Sequence, residues 1–267
     1  MINATHIDHM GTDLTVANAA RVSFGKQSEM DTSDVWGPPK LKDKDAKLIS
    51  YLAKHKHISP FGHCFASFHI KAPVFVARQL VKHKFLRWNE ISRRYVDEKP
   101  EFYVPTEWRG KSADKKQGSE GVVRVDKVEA NTLEDAQTRI GLWAEDNPEK
   151  WFERYGREYD PNRDDIYPEF SLLDEIKFFS NEPVDLYNKL LQIGVCPEQA
   201  RMILPQSMMT EWYWSGSLDA FADMCNLRCK SDTQYETQLV AWDIYFEMKE
   251  LFPVSWMALT EELDDER

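Results

Sequence analysis

Arg78–Tyr95, RQLVKHKFLRWNEISRRY, departs most from the rest of the chain and decides its reading. From Arg78 to Arg94 it sets Arg78, Lys82, Lys84, Arg87, Arg93 and Arg94 against the single acid Glu90, with His83 in the middle. The whole chain has 267 residues and a formal net charge of -11, so this concentration of cations is anomalous. Crowded cations repel one another unless an anion or an acidic partner offsets them. A solvated basic helix face is one reading. Against it, the cations alternate with Val81, Phe85, Leu86 and Ile91, so part of the segment is expected to pack. Asn89, Glu90, Ser92 and Tyr95 add donors and acceptors that can read a polar ring. Phosphate recognition uses the arginine fork or lysine as a point charge. An anionic, ring-bearing ligand such as a nucleotide fits this mixture.

The composition narrows the choice. With 42% hydrophobic and 12% aromatic residues the chain can bury a sizeable core in one or two domains. Its acidic balance argues against a long nucleic acid as partner. A small anion needs only a local basic pocket and stays open. Four cysteines (Cys64, Cys196, Cys225 and Cys229) do not make the disulfide framework of a secreted protein. The opening MINATHIDHM lacks a basic region followed by an apolar run. No apolar stretch approaches the roughly 20 residues that span a bilayer. The expectation is a soluble, cytoplasmic protein in a reducing compartment, with neither membrane nor nucleic acid as partner.

Upstream of the basic stretch, residues 63–71 alternate like a strand, and Pro73 suits the first turn of a helix over 74–85. Residues 43–55 place Ala46, Ile49, Leu52 and Ala53 at helical spacing. Residues 26–42 read as loop, and 12–24 as a short strand leading to a turn or helix. Downstream, 106–121 and 156–169 read as exposed loop or insertion, with a surface helix over 131–145. A helix over 184–193 follows Pro183 and ends at Gly194. Another begins at Pro197 and runs over 197–204. Helices over 217–229 and 233–251 complete the pattern. Trp212 and Trp214 flank Tyr213 in a strand and are assigned to packing. Helices dominate the C-terminal half, and the class is α+β.

The basic stretch resembles the signature of flavin-dependent thymidylate synthases: R-H-R, seven residues, then S, extended as N-E-x-S-x-R-Y. Lys82-His83-Lys84 stands for the triplet, Ser92 has the required spacing, and Asn89, Glu90, Arg94 and Tyr95 fall in register. Lysine for arginine keeps the charge and loses the two-pronged contact. Ala19–Ser23 resembles the family's A-A-R-[VI]-S, and His57–His63 its H-x-[ST]-P-F-x-H. Lys71–Gln79 resembles its strand-to-helix passage. Glu198, Arg201, Leu204 and Pro205 match E-x-x-R-x-x-L-P, and Asn226-Leu227-Arg228 with Gln234 and Glu236 matches N-L-R followed by Q-x-E. The likeness covers roughly 18–95 and 197–251. It implies one domain over 1–267 with an insertion within 105–183, built on a central mixed or antiparallel sheet flanked by helices.

The resemblance also implies roles. His57, Ser59, Lys82, His83 and Lys84 would contact FAD, as would Ser217 and Asp223, which stand where the family commonly has Asn. Asp232 stands where His is common. Gln79, Lys82, Glu90, Ser92, Arg93, Arg94 and Arg201 would hold dUMP. Arg228 would face the uracil and stabilise negative charge on it. NADPH and 5,10-methylenetetrahydrofolate would be co-substrates, and the assembly a homotetramer with shared sites.

The chemistry suits this. Uracil C5 is a poor nucleophile and needs electron density pushed into its ring. The flavin-free thymidylate synthases add a cysteine at C6 from a P-C-H context, which is absent here. Cys196 precedes Pro197 and reads as a buried or helix-start residue. The other route is polarisation by a fixed cation, with flavin carrying the redox work. Ser92 is read as a substrate hydrogen-bonding group rather than a nucleophile. Three rivals remain: zinc chemistry at His55, His57, His63 and Cys64; nucleic-acid stacking on Trp88 and Tyr95; and release of a hydroxymethyl rather than a methyl product.

Overall fold

Strand β2 (Phe65–Pro73) sets the architecture, because its side chains alternate strictly. Ala66, Phe68, Ile70 and Ala72 are buried on one face, as the two-residue period of a half-buried strand requires. In this computed structural model the described residues are 1–34, 36–96, 99–113, 119–125, 141, 144–156, 158–160 and 172–260. Two compact units divide the chain. The first comprises Met1–Tyr103, Ser112–Ser119 and Gln206–Arg267, and the second Val104–Lys111 and Glu120–Pro205.

The first unit holds an antiparallel sheet in the order β1-β2-β6-β3. Its outer strands are β1 (Asn3–Met10) and β3 (Leu86–Glu90), and β6 is Met209–Ser217. The β2–β6 register places Phe68 opposite Trp214 and Ile70 opposite Trp212. Trp88 of β3 stacks on Trp212 with ring centroids 4.3 Å apart. Such aromatic pairs add about 0.5–1.5 kcal/mol beyond their area.

Helices cover the apolar face. Phe221 of α7 (Leu218–Arg228) meets Phe68 edge-on at 5.2 Å and Trp214 at 5.6 Å. Helix α8 (Tyr235–Leu251) buries Val240, Ala241, Trp242, Ile244, Tyr245 and Met248, and its Asp243 accepts the Ala4 N–H of β1 at 3.1 Å. The Asp13 carboxylate, at the start of α1 (Asp13–Arg21), accepts the N–H groups of Val254 and Ser255 at 2.9 and 2.8 Å. It thereby satisfies the otherwise orphaned first turn of α9 (Pro253–Leu259). Asp45 of α2 (Asp43–Lys54) is fully buried and binds the Arg21 guanidinium and, at 2.5 Å, the Ser28 hydroxyl. Burial alone would raise this carboxyl; Ser28 and Arg21 overcome that and hold it below the ordinary range.

In the second unit are α4 (Pro148–Tyr155), α5 (Leu172–Gln192), α6 (Pro197–Ala200) and a 3₁₀ turn, Arg201–Ile203. Strands β4 (Trp108–Lys111) and β5 (Ser119–Val123) pair as a two-stranded ribbon. Among the described residues no helix is long and apolar enough to cross a membrane.

Most expected elements are present, with corrections. Residues 13–21 are helical, and the strand expected there lies earlier, at Asn3–Met10. The helix after Pro73, α3 (Val74–Leu80), stops well short of residue 85. Pro73 precedes it as the last residue of β2, where an extended ψ serves the strand and a fixed φ serves the helix entry. The stretch read as loop over 106–121 contributes to the ribbon. Pro183 lies inside α5, which begins eleven residues before it. Residues 253–259 form a helix where none was expected, started by Pro253. Cys196 is exposed at the start of α6, the helix-start reading. The helix expected over 131–145 lies largely outside the described residues, as does much of 156–169.

Candidate active site

The basic stretch is not one helix face. It ends α3, turns through 81–85, forms β3 and turns again at 92–95. The first turn is sharp. Phe85 has φ +64°, in the left-handed region, and its ring is 83% exposed. A non-glycine residue there costs on the order of 1 kcal/mol, and such residues gather at functional sites.

This turn separates two clefts of the first unit. One, of about 420 Å³, is lined by Phe75, Arg78, Gln79, Lys82, Gln206 and Gln234. The other, of about 410 Å³, is lined by Lys82, His83, Lys84 and Phe85 from the turn and by Ala220, Asp223, Leu227 and Arg228 from α7. Lys82 borders both. The Gln79 amide donates to Gln234 Oε1, joining α3 to the start of α8. Gln206 reaches the first cleft because its carbonyl accepts the Phe75 N–H at 3.2 Å, while Met208 takes that of Val74 at 2.9 Å.

In the second cleft Arg228 Nε donates to His83 Nε2 at 2.9 Å, and Arg228 Nη2 to the Gln79 carbonyl at 3.4 Å. Burial and then the Arg228 charge hold His83 down at about 4, so its imidazole is neutral near pH 7. Burial also draws Arg228 below its ordinary value. Loss of hydration, and then Asp219, raise the Asp223 carboxyl.

The family model described as "Thymidylate synthase complementing protein" matches residues 5–254. A flavin-dependent thymidylate synthase of Thermosipho africanus is 33% identical over 252 residues, covering 94% of this chain and 88% of its own. One from Thermus thermophilus is 33% identical over 257 residues, covering 96% and 75%. This chain belongs to the flavin-dependent thymidylate synthase family. A crystal structure of a UMP/dUMP methylase, PolB from Streptomyces cacaoi, bound with 5-Br dUMP, shares the α+β fold at a TM-score of 0.67, with 24% identity over 97% of this chain and 94% of that one.

Of the residues that the family resemblance singles out, the structure brings Lys82, His83, Lys84, Asp223 and Arg228 to one cleft and Gln79 and Lys82 to the other. Glu90 lines neither. It lies at the end of β3 and accepts the Thr210 hydroxyl at 2.7 Å and the Trp88 indole N–H at 3.2 Å. Ser92 organises the following turn, its carbonyl taking the Tyr95 N–H at 3.0 Å, with Arg93 and Arg94 inside that turn. His57 and Ser59 follow α2, where the Ser59 carbonyl accepts the Gly62 N–H at 3.2 Å. Ser217 is buried at the start of α7. Arg201 belongs to the second unit, in its 3₁₀ turn.

Sequence reasoning assigns no role to Phe75, Gln206 or Gln234, and names Arg78 only as one cation of the basic stretch. Gln206 directly follows the matched Leu204-Pro205, and Gln234 is itself matched; adjacency to those motifs is the available signal. Glu236, two residues on, accepts the Tyr103 hydroxyl at 3.4 Å, and Tyr103 is pushed up to about 12 by burial and then by that carboxylate.

Proposed function

We propose that this chain converts dUMP to dTMP by flavin-dependent reductive methylation, with 5,10-methylenetetrahydrofolate as carbon donor and NADPH as reductant. As a member of this family it is a methyltransferase-type, flavin-dependent enzyme. The observation that supports the reading most is the meeting of Lys82, His83 and Lys84 with Arg228 at one cleft that adjoins another through Lys82.

The residues of the second cleft fit FAD. Lys82 and Lys84 supply cations for phosphate oxygens, Arg228 a charged donor, and Ala220 and Leu227 an apolar wall for a ring. Held there by these residues, FAD would supply the hydride chemistry that a methyl product requires. The chain's own residues do the rest. Arg78 and Lys82 fit the dUMP phosphate, while Gln79, Gln206 and Gln234 offer amides for sugar and base. Arg228 stabilises the negative charge of the pyrimidine as it ionises, the electron density that C5 then donates to the one-carbon unit, and loss of such a group removes that stabilisation. Glu90, Ser92, Arg93, Arg94 and Arg201 complete the dUMP contacts, and His57, Ser59, Ser217 and Asp223 those to FAD. These roles follow the family resemblance, as do a homotetramer with shared sites, a cytoplasmic location and the reading of 105–183 as an insertion in one family domain.

The test is product formation from dUMP with each co-substrate omitted in turn. dTMP is expected only when FAD, NADPH and methylene-folate are all present. A hydroxymethylated product would move the chain to the related reaction, and no product would reject the assignment.

A further inference from the structure

We infer that His83 is a positioning residue for Arg228: its ring serves as a hydrogen-bond acceptor that fixes the guanidinium within the cleft. The inference rests on the reading of Arg228 as the cation that faces the pyrimidine. An arginine on the last turn of a helix has several free torsions, and its charge is useful only if its direction is set before substrate arrives. Two bonds set it here. Nε donates to His83 Nε2 at 2.9 Å, and Nη2 to the Gln79 carbonyl at 3.4 Å. Together they hold one edge of the fork and leave Nη1 for a ligand.

The first bond dictates the protonation state of the ring. Nε2 must carry a lone pair, so the neutral ring bears its proton on Nδ1. An imidazolium would set donor against donor and charge against charge. The surroundings favour the neutral form. From α7, Arg228 and Asp223 face this cleft; from the turn itself, Lys82 and Lys84 do. From β6 the ring meets the Trp214 indole edge-on, with centroids 6.5 Å apart. Three cations against one carboxylate, with an apolar ring behind, oppose a further positive charge. The lysines on both sides of His83 remain available for phosphate, so the middle residue of the triplet serves the arginine rather than the anion.

The experiment compares His83→Gln, which keeps an acceptor on a side chain of similar reach, with His83→Leu, which removes it. Melting temperature and flavin absorbance report whether each variant folds and loads. His83→Leu is expected to lower kcat about a hundredfold, the scale of an ångström-level misplacement, with a smaller change in the KM for dUMP. His83→Gln is expected to recover most of that loss. Equal loss in both variants, or less than twofold loss in His83→Leu, overturns the inference. A second readout does not depend on turnover. In protein carrying ¹⁵N-labelled arginine and histidine, the Arg228 Nε–H signal is expected to be protected from exchange in wild type and in His83→Gln, and exposed in His83→Leu. In wild type the His83 Nε2 shift should report a neutral, accepting nitrogen at pH 7. An unchanged Arg228 signal in His83→Leu overturns the inference even if the enzyme proves to make another product. If the wild type makes no dTMP while these signals behave as expected, only the reading of the reaction fails.

Discussion

Gly216 lies opposite Leu86 in the β6–β3 ladder, so close that a methyl group there would have to displace the end of the Leu86 side chain. A Cβ at Gly216 would overlap the Leu86 side chain and stand 3.0 Å from the Phe85 carbonyl oxygen. The strained turn that carries Lys82, His83 and Lys84 is therefore seated directly on the backbone of β6. Gly216→Ala is expected to cost about 1–3 kcal/mol, the range for overpacking a tight contact, and to weaken flavin uptake. Thermal melts and flavin absorbance on the same samples check both. A variant as stable as wild type would mean that the Leu86 side chain or the turn itself gives way without cost.

Arg228→Ala is expected to lower kcat/KM for dUMP by about 10²–10³, the scale for removing one preorganised charge-stabilising donor, while the melting temperature changes little. Arg228 is half-buried at the end of α7, and the core residues Phe221, Met224 and Cys225 lie on the preceding turns. Steady-state dTMP formation measures the first quantity and circular dichroism the second.

Lys82 borders both clefts and Lys84 only the second. Lys82→Ala is therefore expected to weaken both dUMP and flavin binding, each by roughly tenfold or more, the value of a hydrogen bond to a charged group. Lys84→Ala is expected to weaken flavin alone. Equilibrium titration of each ligand separates the cases. Equal effects of the two substitutions on dUMP would contradict the division of the clefts.

Much of this is legible in the sequence, and the reasons differ by element. Strand β2 and helices α2, α7 and α8 carry unambiguous two-residue or helical spacing or clear apolar runs, and each appears within about two residues of its expected bounds. Helix α3 is shorter than its pattern suggests because Val81 and Phe85 continue an apolar rhythm, although Phe85 adopts a positive φ that no helix permits. Pro183 suggests a boundary because proline usually ends a helix, yet α5 runs through it. The residues of the second cleft are legible in part because Lys82, His83 and Lys84 are contiguous. The hydrogen bond from Arg228 to His83 is not, since it joins positions 145 apart in sequence. No spacing rule reaches across that distance.

His83 also sets a pH dependence of stability. Its value in the fold, about 4, lies below the ordinary value of 6.5, so the unfolded chain binds more protons between those limits. Stability from this group is therefore complete above about pH 6.5 and falls as pH drops toward 4, by on the order of 2–3 kcal/mol at most. Urea midpoints measured between pH 7.5 and 4.5 should decline, and His83→Gln should flatten part of that decline. An identical slope in the variant would assign the effect to other groups.

The central claim is that a basic turn and the end of α7 hold a flavin beside a pyrimidine nucleotide. The absorption spectrum of the protein mixed with FAD, followed by titration with dUMP, tests it most directly. Retained flavin absorbance that survives gel filtration, with a saturable shift on adding dUMP that is lost in Lys82→Ala, is the expected result. A protein that takes up no flavin and shows no spectral response to dUMP would contradict the account.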